Sequence, residues 1–179
     1  MAKGLELHIP EKIRRDFVLK AFEQYQWELF DAPAKEVAIK FWIDLGYECV
    51  ENPYDYGIDL LEKSKEFSCE VEVKLGRHGP TFIFPNLHVG TREKKFMISP
   101  AMFMIMNNSL THGAVVNRKL ILASPVVEVK NTTVLTEERF YDIPAENIAV
   151  INLPSKKCVI KTENTMLSVT FSHIVIHNN

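Results

Sequence analysis

The stretch GIDLLEKSKEFSCEVEVKLG, Gly57 to Gly76, decides how this chain is read. Two apolar runs flank the polar Lys63-Ser64-Lys65, the pattern of a β-hairpin. Side chains on a strand alternate between faces. Cys69, Val71, Val73 and Leu75 therefore share an apolar face, which is core, and Glu70, Glu72 and Lys74 share the other. A turn near Ser64 sets Asp59 opposite or diagonal to Glu70 and Glu72. Like charges that close repel and raise one another's pKa, unless water or a cation lies between them. Carboxylate oxygens are hard ligands suited to Mg²⁺ or Mn²⁺. A lysine beside them can hold an attacking water or stabilise charge developing on a phosphoryl group. An acid-acid-lysine group with Mg²⁺ thus fits metal-assisted phosphodiester hydrolysis. The plain alternative is a solvated hairpin face, where Glu and Lys are common. Glu70 and Glu72 are rival ligands on this face.

Upstream the pattern is helical. Ile13, Phe17, Ala21 and Tyr25 recur every four residues and predict a helix over Pro10–Phe30. DAPAKEVAIKFWIDLGY predicts a second, with Asp31 as N-cap, Pro33 in the first turn, a Val37/Ala38/Phe41/Leu45 stripe and Gly46 as the stop. Beyond it the chain reads as extended. YECVE, IDLLE, FSCEVEVKL, AMFMIMN, GAVVNRKLILA, VVEVK, KCVIKT and MLSVTFSHIVIH are predicted strands. RHGPTFIFPNLHVG reads as a loop and an extended run, TREKKFM as a turn of helix, and FYDIPAENIAVINL as a loop and strand. The expected fold class is α+β: helices first, then a mixed, largely antiparallel sheet.

Composition sets bounds on this. A chain of 179 residues is about one domain's worth and can bury a real core. With 46% hydrophobic and 25% charged residues it has the make-up of a globular protein. A formal net charge of −2 gives no global basic excess, so any DNA contact must come from local patches. Cys49, Cys69 and Cys158 have no paired spacing, which argues against a zinc site or a disulfide framework. Reduced thiols and no N-terminal signal pattern point to the cytoplasm, and no apolar run approaches membrane-spanning length. No P-loop, Rossmann glycine pattern or Ser/His/Asp order supports nucleotide-binding folds or triad hydrolases.

Asp59, then twelve residues, then Glu72-Val73-Lys74 resembles the PD-(D/E)XK nuclease superfamily of many restriction enzymes, Holliday-junction resolvases and phage exonucleases. KEVAIKFWIDLGYECVEN resembles the family's helix, Gly-aromatic helix end and first strand, with Glu36 in the place of a glutamate found in several branches. The resemblance implies a restriction endonuclease-like core of a helix, three antiparallel strands, a helix and a further strand. It covers residues 31–76 well and 77–123 loosely, giving a core of about 31–123 and a strand-rich extension of about 124–179. It implies that Asp59, Glu72 and the Val73 carbonyl bind Mg²⁺, that Lys74 positions or activates water, and that Glu36 supports the metal. Mn²⁺ would substitute. Ile58 stands where the family's name has proline, and no second helix is evident after Lys74. Glu36 has a bland alternative as the ion-pair partner of Lys40, four residues on.

Arg77 and His78 follow the proposed catalytic strand, and Arg92, Lys94 and Lys95 form the next basic cluster. Both could contact DNA phosphates, although a solvated charged turn explains Arg92–Lys95 equally well. Phe82, Phe84 and Phe96 flank them as stacking or core residues. His88 falls between the two clusters, with a structural role as its expected use. The expected activity is Mg²⁺-dependent DNA endonuclease, with a homodimer supplying two sites for two strands, and the small size suits a phage, mobile element or repair protein. Two rival readings stand beside it: an inactive nucleic-acid-binding module of the same fold, and a structural or assembly protein.

Overall fold

The computed structural model describes residues 29–54, 57–62, 67–91, 101–130, 137–160, 167–170 and 173–176. Residues 29–44 form helix α1. Asp31 therefore lies inside the helix instead of capping it, and pairs with Lys35 one turn on. Gly46 follows with a φ of 94°, a left-handed stop that costs little without a Cβ. The predicted helix over Pro10–Phe30 falls almost entirely outside the described residues.

The chain then builds a seven-stranded sheet. Its members are β1 (Cys49–Glu51), β2 (Leu60–Glu62), β3 (Ser68–Lys74), β5 (Ala101–Asn107), β6 (His112–Asn117), β9 (Val150–Asn152) and β10 (Lys157–Ile160). Spatial order is β1-β2-β3-β5-β6-β9-β10. β3 and β5 run parallel, in register from Ser68↔Ala101 to Lys74↔Asn107, and the other pairs are antiparallel. A parallel pair cannot be joined by a tight turn. Residues 75–100 make the crossover, and within it β4 (Asn86–Gly90) leaves to join β8 (Glu137–Pro144) and β7 (Val126–Lys130) in a second sheet, ordered β4-β8-β7. β11 (Leu167–Thr170) and β12 (His173–Ile176) pair as an antiparallel ribbon. The chain is α+β, and largely antiparallel, as its sequence pattern leads one to expect.

Two segments depart from that pattern. GAVVNRKLILA is half strand and half helix: β6 ends at Asn117, and Arg118–Ala123 form α2. The Asn117 side chain accepts a hydrogen bond from the Leu120 amide at 2.8 Å, a helix N-cap that ends the strand. FYDIP, expected in a loop, belongs to β8, the central strand of the second sheet.

Alternation on β5 explains the two cores. Met102, Met104 and Met106 face α1 and pack with Ala34, Ala38, Phe41, Trp42, Cys69 and Leu60. Ala101, Phe103 and Ile105 face the other way and pack with Leu87, Val89, Tyr141 and Ile143 of the second sheet and Ile121 of α2. All seven residues of β5 are buried, as a strand covered on both faces must be. An ion pair, Lys156 Nζ to Asp44 at 2.7 Å, ties α1 to the β9–β10 turn.

Candidate active site

On β3 the alternation falls as expected. Val71 and Val73 pack with Cys69 against the core beneath α1. Glu70, Glu72 and Lys74 rise from the opposite face. There Lys74 Nζ donates to the carbonyl of His88 on β4 at 2.7 Å and to Glu72 Oε1 at 2.5 Å. Lys74 is 19% exposed and Glu72 39%, so the lysine is held and the acid reaches water.

Asp59 stands just before β2, whose register pairs Leu60 with Cys69 and so sets Asp59 beside Glu70. Its Oδ2 accepts the Val71 amide at 2.8 Å, and its own amide lies 3.4 Å from Glu70 Oε2. A side chain thus takes a place in the strand ladder, and the β2–β3 pairing ends there. Asp59 Oδ1 lies 3.2 Å from Lys35 Nζ of α1. The same ammonium is 3.0 Å from Asp31 Oδ2 and 3.4 Å from Glu51 Oε1. Burial pushes the Asp59 carboxyl above the usual aspartate range, although the Val71 amide and Lys35 pull the other way. Burial alone would lower the Lys35 pKa, but its bond to Asp31 and the charge of Asp59 outweigh that and raise it, so it stays charged.

The two acids of the motif are therefore each matched by a lysine: Asp59 by Lys35 on the α1 side, Glu72 by Lys74 on the other. Among the described residues no three His, Cys, Asp or Glu side chains converge into a ready metal cage. Glu36 is exposed, one helix position past Lys35. Lys35 is the residue that the sequence reading passed over. Its signal was the Asp31–Lys35 spacing of four, set between Ala34 and Ala38 on the face that the helix buries.

Arg77 and His78 are exposed directly after β3. The Arg77 guanidinium donates to the Phe84 carbonyl at 2.7 Å, and its backbone carbonyl accepts the Asn108 amide at 3.1 Å. Arg92, Lys94, Lys95 and Phe96 lie outside the described residues. Phe82 is core and Phe84 is 42% exposed. The His88 imidazole stacks on Phe140 and lies 2.9 Å from Asp142, which also accepts a bond from Asn86.

A comparison of the chain with models of known protein families and with curated proteins found no significant match. Among the described residues no helix is long and apolar enough to cross a membrane.

Proposed function

We propose that the chain is a metal-dependent nuclease of the PD-(D/E)XK type, acting on phosphodiester bonds in DNA. The observation that carries this reading is the placement of Asp59 against β3 by the Val71 amide, one residue short of Glu72-Val73-Lys74. Support also comes from the strand plan. A helix precedes an antiparallel meander β1-β2-β3, and a crossover then returns the chain parallel to β3, which is the order the family resemblance implies. In the described part of that crossover, turns and β4 stand where the family has its second helix.

Asp59 and Glu72 offer hard oxygens, the donor chemistry of Mg²⁺ or Mn²⁺, with the Val73 carbonyl between Glu72 and Lys74. When bound, such a cation supplies charge neutralisation at the phosphate. The chain's own residues do the rest. Lys74 has one donor on His88 and one on Glu72, and among the described residues its third N–H is left to reach a water or a phosphoryl oxygen. Its partly desolvated position strengthens that bond. Arg77 and His78 offer exposed phosphate contacts beside it. A homodimer would provide the two sites that cutting both strands requires.

The test is cleavage of plasmid, linear duplex, single-stranded and branched DNA with Mg²⁺, Mn²⁺ or EDTA. Wild type should cut only with metal, and Lys74→Ala should cut at least about a hundredfold more slowly. An undiminished rate in Lys74→Ala would remove this site from the reaction, and no cutting of any substrate would remove the reading.

A further inference from the structure

Lys35 is the least expected member of the group around Asp59. It reaches from α1 to carboxylates on three separate elements: Asp31 on its own helix, Glu51 on β1 and Asp59 before β2, at 3.0, 3.4 and 3.2 Å. An ammonium has three donors, and here three acids surround it. Its side chain is only 14% exposed. Asp59 cannot easily turn away from it, because Oδ2 is pinned by the Val71 amide. A divalent cation at Asp59 would meet that ammonium at close range, and two cations cannot share one carboxylate edge without strong repulsion.

We propose that Lys35 is the resident counter-ion of the candidate site, occupying at Asp59 the place of the divalent cation, so that metal enters only by displacing it. This rests on the metal-dependent reading above and adds to it a residue that sets metal affinity. Lys35 is then a positioning residue: it holds Asp59 in place without metal and withdraws when metal arrives.

The experiment is titration calorimetry with Mn²⁺ alone on wild type, Lys35→Met and Lys40→Met, the last an exposed lysine of the same helix. Lys35→Met should bind Mn²⁺ at least about tenfold more tightly, the scale of one unit charge removed from salt-bridge distance in a partly screened site. Lys40→Met should match wild type. Equal or weaker binding by folded Lys35→Met would overturn the proposal and leave the nuclease reading standing. Asp59→Asn in the Lys35→Met background separates the two: if tight binding survives it, the metal sits elsewhere and the reading of Asp59 as a ligand fails. No Mn²⁺ binding by any variant would overturn both. Lys35→Met leaves three acids unmatched and could unfold, so Asp31→Asn/Lys35→Met serves as a second variant. Thermal unfolding with and without Mn²⁺ gives a second readout: the metal should raise the midpoint of the Lys35 variants more than that of wild type.

Discussion

Cys49 is buried in β1, across the ladder from Glu62. Burial, with the Glu62 charge adding to it, pushes its thiol up to about 11. The sign of the consequence follows from linkage. The unfolded thiol ionises near 9, the folded one near 11, so folding favours the proton. That stability is fully present below pH 9 and is lost as pH rises through 11. Urea midpoints of wild type should therefore fall more steeply between pH 9 and 11 than those of Cys49→Ala; parallel slopes would rule the mechanism out. The same scale shows what single residues disclose. Asp59, Glu72 and Lys74 could be picked out because strand period and motif spacing are local. Lys35 showed only the local half of its role, the spacing to Asp31, because its other two acids, Glu51 and Asp59, approach it only through the fold.

Elements were legible where one period ran uninterrupted. AMFMIMN became β5 because a strand buried on both faces needs no alternation. RKLILA was read as more strand because its apolar residues continue those of β6; only Asn117, a good cap, marked the change. FYDIP hid its strand behind a proline, which β8 tolerates at its last residue, Pro144. The β5–β6 turn shows how much one polar side chain can decide. Asn107 is fully buried, accepts the amides of Thr111 and His112 at 3.0 Å each, and donates to the Thr111 hydroxyl. It lets the chain turn through Leu110, whose φ is 54°, and its amide lies 3.4 Å from the Gly79 carbonyl in the loop that carries Arg77 and His78. Asn107→Ala would leave two amides unpaired. Urea unfolding should report a loss of about 1–3 kcal/mol, and a loss below about 0.5 kcal/mol, the scale of a neutral surface change, would mean that the turn holds without it.

At the scale of the molecule, the large sheet is one wall shared by two cores. Phe103 and Met104 are neighbours on β5, both essentially inaccessible, yet they point into different cores. Each loses a large buried side chain on truncation to alanine, so Phe103→Ala should cost about 3–5 kcal/mol and Met104→Ala about 2–5 kcal/mol. Because β5 hydrogen-bonds to β3 on one side and β6 on the other, neither core can come apart while the strand stays paired. The two losses should therefore appear in one transition. Trp42 reports on the α1 core alone, packed edge-on against Phe41, Tyr47 and Phe67 with ring centroids 4.6–5.3 Å apart. In a Trp27→Phe background, Phe103→Ala should move the midpoint of Trp42 emission and that of far-UV circular dichroism together, although Phe103 lies in the other core. If Trp42 keeps its wild-type midpoint while the dichroism shifts, the cores melt separately. β3, which carries Glu72 and Lys74, would then be gripped from one side only, and a site that depends on both faces of that strand would lose its rigid base.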